Sequence, residues 1–140
     1  MRYVTFINIA TSIMLFTGCG DNNFDKSIKD DILTNTEKWY EIDSTRELYQ
    51  TFEFSENTLT KNIYNDKYFN ELIDIKKFNI QFVDDDMFNI VEDGVSYSCK
   101  VDTCNNNQFV MVSCNANETG VKELIYCGWN SQDKAKANMQ

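Results

Sequence analysis

Between Lys38 and Trp129, apolar and polar residues alternate in short runs, and this period of two constrains the fold more than any other feature of the chain. Successive side chains of a strand point to opposite faces, so alternation is what a sheet with one buried face requires. The runs are rich in Phe, Tyr, Ile and Val, the residues that suit a pleated, half-buried surface. They predict strands at Lys38 to Asp43, Glu47 to Ser55, Thr58 to Tyr64, Phe78 to Val83, Met87 to Glu92, Val95 to Asp102, Gln108 to Asn115 and Val121 to Trp129. Ser55-Glu56-Asn57, Asp84-Asp85-Asp86, Glu92-Asp93-Gly94 and Cys104-Asn105-Asn106-Asn107 separate them, and Asn, Asp and Gly tolerate the left-handed backbone of tight turns. The chain has no Pro, which would remove a ladder donor wherever it fell. Asp66 to Lys77 is ambiguous: Tyr68, Phe69, Leu72 and Ile73 have helical spacing, and a strand reads almost as well. The expected fold is all-β and mainly antiparallel, an eight-stranded meander closing as a small barrel or folding into a two-layer sandwich.

The flanks read differently. Residues 19–36 are mostly polar and are expected to form a tether, within which Asp25 or Ser27 caps a short helix carrying Ile28, Ile32 and Leu33 on one face. Residues 37–130 form the expected β-domain, and 131–140 a flexible tail.

Residues 1–18 carry one basic residue, Arg2, and an apolar run from Val4 to Phe16 that ends at Phe16-Thr17-Gly18-Cys19. A run of about 13 residues suits a signal-peptide core and falls short of the roughly 20 that span a bilayer as a helix. The segment resembles the signal sequence of a bacterial lipoprotein, in which the cysteine receives a diacylglyceryl group and becomes the lipidated N-terminus after cleavage. That resemblance implies lipid on Cys19, membrane attachment through it, and a place in the cell envelope. In that family an Asp after the cysteine favours retention at the inner membrane; Gly20 stands there, which implies the outer membrane of a Gram-negative bacterium. Three acyl chains exceed the two signals that stable anchoring needs. The alternative is an ordinary signal peptide cut nearby, which frees a soluble protein.

Residues 1–18 hold one of the 13 basic residues and none of the 22 acidic ones, so the chain from Cys19 onward has a formal charge of −10. Such a surface repels polyanions, and Lys76-Lys77 is its sole basic pair, which sets aside a nucleic-acid binder and disfavours attachment through anionic headgroups.

Ile-Leu-Thr-Asn-Thr-Glu-Lys-Trp-Tyr at 32–40, followed by Gln-Thr-Phe-Glu-Phe-Ser-Glu-Asn-Thr-Leu at 50–59, resembles the opening of bacterial lipocalin-like domains. In those a Trp on the first strand closes the barrel floor; Trp39 holds that place, while the Gly expected two positions earlier is Glu37. The likeness covers about thirty residues and implies either a barrel plugged by its own side chains or one that carries a small apolar ligand. Phe52, Phe54, Phe78, Ile80, Phe82, Phe88 and Ile90 are the candidate inward residues.

With Cys19 lipidated, four of the five cysteines remain, Cys99, Cys104, Cys114 and Cys127, and an oxidising compartment favours two disulfides. Aligning Cys104 with Asn107 across the Asn105-Asn106 turn sets Cys99 opposite Val112 and diagonal to Cys114, and places Cys127 opposite Val110. The expected pairs are therefore Cys99 with Cys114 and Cys104 with Cys127. No Cys-x-x-Cys spacing points to a redox centre.

The chain has no His, so Ser-His-Asp and Cys-His machinery and imidazole-bound zinc are impossible within it. Asp84-Asp85-Asp86 and Glu92-Asp93 lie at opposite ends of one predicted strand, about 17 Å apart, too far to share a calcium ion. Both are expected to be solvated turns. No Gly-rich loop cradles a phosphate, and no cofactor or metal is implied. Two functions stand: a non-enzymatic envelope lipoprotein presenting a small disulfide-stapled β-domain to an envelope protein or the cell wall, and a lipocalin-like carrier of a small apolar ligand.

Overall fold

The computed structural model describes residues 27–121 and 123–139. Residues 1–18 and Cys19, with their expected cleavage and lipid, lie outside them. Eight strands follow in chain order: β1 (Trp39–Asp43), β2 (Leu48–Phe54), β3 (Thr58–Tyr64), β4 (Leu72–Asp84), β5 (Met87–Glu92), β6 (Val95–Cys104), β7 (Phe109–Ala116) and β8 (Leu124–Trp129). Each pairs antiparallel with the next and β8 returns to β1, giving a closed barrel rather than a sandwich.

The alternation works as anticipated. Trp39, Phe52, Leu59, Phe78, Ile80, Ile90, Phe88 and Cys99 occupy positions linked pair by pair through the ladder and all face the interior. Turn chemistry fixes the register. Asp93 and Gly94 both have positive φ, 51° and 78°, and join Glu92 to Val95 in a two-residue hairpin whose twist matches that of the strands. Asn105, Asn106 and Asn107 all adopt left-handed φ, which lengthens the next turn so that Cys104 aligns with Phe109, not Asn107.

Two segments depart from expectation, and one that the sequence left open between helix and strand is resolved. Asp66 to Lys77 is no helix. The Asp66 carboxylate accepts from the backbone N–H groups of Tyr68, Asn70 and Glu71, closing a turn in which Phe69 has φ 56° and wedges its ring between Tyr40 and Tyr64. The strand resumes at Leu72, so β4 begins six residues earlier than predicted and ends one residue later. Residues 27–36 are no tether either. A π-helical turn at Lys29–Thr34 seats Ile32 and Leu33 in the barrel core, and Lys29 reaches Glu56 while Ser27 reaches Asp85 on the two neighbouring turns. The tail folds as well: α1 (Gln132–Ala137) is capped by the Ser131 hydroxyl, which accepts from the Lys134 N–H, and it packs Ala135 against the outside of β1 and β8. The folded unit therefore reaches from Ser27 to beyond Ala137, past both ends of the predicted 37–130 domain.

Leu33 is fully buried. Leu33→Ala is expected to cost about 2–5 kcal/mol in urea unfolding, a large-to-small loss of core volume; an unchanged midpoint would return this segment to the role of a tether.

Candidate functional site

The two ends of the barrel differ in chemistry. At the end bearing the 55–57 and 85–86 turns, the π-helical turn covers an aromatic interior in which the rings of Phe54 and Phe82 each pack against that of Phe88. At the other end the inward positions turn polar. The strand pattern sends Glu41, Gln50, Lys61 and Glu92 inward because each lies two residues from an inward apolar side chain: Trp39, Phe52, Leu59 and Ile90 respectively.

Lys61, Glu92 and Tyr126 form a closed triangle here. Lys61 Nζ donates to Glu92 Oε1 at 3.0 Å and to Tyr126 Oη at 2.8 Å, and Tyr126 Oη donates to Glu92 Oε2 at 2.6 Å. The Phe78 ring lies 5.1 Å from the ammonium and adds cation–π attraction. Burial pulls the Lys61 ammonium below its usual range against the opposing pull of Glu92, and burial followed by the Glu92 hydrogen bond raises the Tyr126 phenol. Glu92 was expected in a solvated turn; its side chain is instead 13% exposed and paired inside the mouth. Its spacing of two from Ile90 was the available signal.

A second cluster lies at the seam between β1 and β8. One ladder pair joins these strands, Tyr40 with Trp129. Next to it the Glu41 carboxylate accepts from Gln50 Nε2 at 2.9 Å and from the Cys127 N–H at 3.4 Å, so a side chain takes the place of a missing backbone partner. Arg46 lies 3.6 Å from Glu41 and also pairs with Asp43, whose carboxyl it holds below the usual range. Burial raises the Glu41 carboxyl. A cavity of about 90 Å3 opens between this seam and α1, lined by Glu41, Asp43, Arg46, Cys127 and Ala135 among others.

Of the two expected disulfides, Cys99–Cys114 is present, with both residues directly opposite and buried in the core. A bridge closing a loop of this size contributes about 3 kcal/mol by restricting the unfolded chain. Cys104 with Cys127 is not formed, and Cys127 carries a free thiol. The lengthened Asn turn shifts the register by two, and β7 lies between the two cysteines, which puts them on strands about 9.5 Å apart, beyond disulfide reach. Burial, and then the nearby Glu41 charge, push the Cys127 thiol up to about 11, so it stays protonated and poorly nucleophilic at neutral pH.

The seven candidate ligand-facing residues do point inward. Phe52, Phe54, Ile80, Phe88 and Ile90 are buried, with Phe78 and Phe82 packed against them. What they meet is one another. Phe52 contacts Phe54 and Tyr126 ring to ring, and Gly128 lies so close that a Cβ there would sit 2.6 Å from Phe52 Cζ and 2.8 Å from Trp39 Cβ. Trp39 is fully buried, with its indole N–H unpaired among the described residues. Comparison of the chain with protein-family models, with curated proteins and with solved structures returns no match.

Two outcomes follow from the polar end. Lys61→Met alone strands Glu92 beneath the surface and is expected to cost about 3–5 kcal/mol in urea unfolding, whereas Lys61→Met with Glu92→Leu and Tyr126→Phe restores stability to within about 1 kcal/mol or raises it. Glu41 has a folded pKa above the unfolded one, so its favourable share of stability is complete below pH 4.5 and lost as pH rises through the folded value. Glu41→Gln is therefore expected to gain stability over the parent as pH rises from 4.5 to 8 in unfolding titrations, with no divergence below that range.

Proposed function

We propose that this chain is a non-enzymatic cell-envelope lipoprotein, held to the membrane by lipid on Cys19 and presenting the barrel to an envelope protein or the cell wall. The observation that carries the choice over a ligand carrier is the filled interior. Side chains of Trp39 and Phe52 take up the space against β8 so fully that no Cβ fits at Gly128, and small barrels of eight strands are commonly closed in this way by their own side chains. Two of the cavities among the described residues, one at the seam beside α1 and one over β4 and β5, measure about 90 and 210 Å3, below the 300–1,000 Å3 of typical small-molecule sites. The mouth likewise suits a structural part. Lys61, Glu92 and Tyr126 satisfy one another, leaving no poised acid, base or nucleophile, and a chain without His lacks the commonest general base.

The address is supported by Phe16-Thr17-Gly18-Cys19 after a short apolar run, and the outer membrane by Gly20. The charge of −10 from Cys19 onward leaves acylation, not basic patches, as the means of attachment.

The test is the intact mass of the protein extracted from membranes of its own source, taken natively and after denaturation. The expected result is a chain beginning at Cys19 with added acyl mass and no small molecule released on denaturation. A Cys19 whose sulfur is free or disulfide-bonded overturns the lipoprotein reading; a stoichiometric apolar ligand replaces the adaptor with a carrier.

A further inference from the structure

β4 runs for 13 residues, yet β5 pairs with its last five alone, through Ile80, Gln81, Phe82 and Asp84. From Leu72 to Asn79 it is hydrogen-bonded to β3 on one side, and none of the described strands pairs with the other. Ile80 donates its N–H to Asn57 on the β3 side, so the alternation of an antiparallel ladder turns the N–H and C=O groups of Lys77 and Ile75 toward the uncovered edge, as far as the register shift between Asp74 and Leu72. Ile75 fits this assignment: its N–H is taken up by the neighbouring Asp74 Oδ1 at 2.9 Å rather than by a strand. Ile73 and Ile75 are 58% and 51% exposed. Long edges of this kind are templates for added strands.

The side chains along this edge are self-complementary. We propose that β4 pairs antiparallel with β4 of a second copy of this chain, about a two-fold axis passing through Ile75. In that register Ile75 faces Ile75, Ile73 faces Lys77, and Asp74 faces Lys76 twice, once on each side of the axis. Ile75 turns its backbone groups to the partner's Ile75, which gives two reciprocal hydrogen bonds on the axis, and Lys77 offers its own on either side. Asp74 and Lys76 then fall at the non-hydrogen-bonded positions, where opposite side chains come closest and opposite charges attract most. The registers two residues away are disfavoured by the same charges. Centring on Asp74 sets carboxylate against carboxylate, and centring on Lys76 sets ammonium against ammonium. Charges on an edge usually ward off other strands; placed symmetrically about Ile75, this acid and this base ward off every partner except the one carrying the same pattern.

Sedimentation equilibrium of the full chain in mild detergent tests the pairing. The parent is expected to be a dimer. Asp74→Lys and Lys76→Glu, each alone, are expected to weaken dimerisation by about tenfold or more, because two like-charged pairs replace two opposite ones. The double variant D74K/K76E restores it. Ile75→Pro removes an N–H that serves the uncovered edge and not the β3 ladder, so it abolishes the dimer while the circular dichroism of the barrel persists. A monomeric parent, or a dimer indifferent to Ile75→Pro and the single reversals, overturns the proposal. Failure of the double reversal to restore a dimer lost in the singles overturns the register and the two-fold axis with it.

Discussion

The approach of the β8 backbone to Trp39 and Phe52 is the contact on which the barrel depends. Eight strands close only if the last can return to the first, and β8 does so over two of the largest interior side chains. Gly128 makes the approach possible by having nothing to place in the gap. Other features of the fold follow from this fit. Phe52 passes it on to Phe54, Phe54 to Phe88 and Phe88 to Phe82, so the aromatic interior runs from the seam to the floor that Leu33 seals.

Closure at the seam is economical in backbone bonds. One ladder pair is supplemented by the Glu41 carboxylate on the Cys127 N–H and by α1 packed outside. A buried carboxyl with a raised pKa is an expensive way to satisfy a donor, and it makes the seam sensitive to pH. The Lys61–Glu92–Tyr126 triangle at the mouth is the opposite case, since its charges cancel and its hydrogen bonds close on themselves. The balance of a buried pair is near neutral for stability, but each partner is costly to remove alone.

Much of the fold was legible in the sequence because a period of two and the turn residues report local physics. All eight strands and the inward-facing Phe and Ile residues follow from them; the Cys99–Cys114 bridge was expected between diagonal positions, and the register shift of two sets the two cysteines directly opposite instead. What was hidden depends on distant contacts. Ile32 and Leu33 look like sparse apolar residues of a polar linker until the barrel floor exists to receive them. Ala135 looks like part of a tail until β1 and β8 lie beneath it. The Asp66 turn hid the first six residues of β4 behind a helical spacing that one carboxylate overrides. Three consecutive left-handed Asn residues set a turn length that composition does not specify, and with it went the expected bridge between Cys104 and Cys127. The polar mouth was half visible, since Lys61 and Glu92 stand at inward positions, but their meeting with Tyr126 requires the barrel to be closed.

The central claim is that the interior is filled to contact by the protein's own side chains. Equilibrium urea unfolding of Gly128→Ala tests it most directly, since the added methyl enters the space between Trp39 and Phe52. A filled interior predicts a loss of about 1–3 kcal/mol with an unchanged denaturant slope. Stability equal to or above that of the parent would contradict it, because only a slack interior with room for a ligand would accept that methyl without cost.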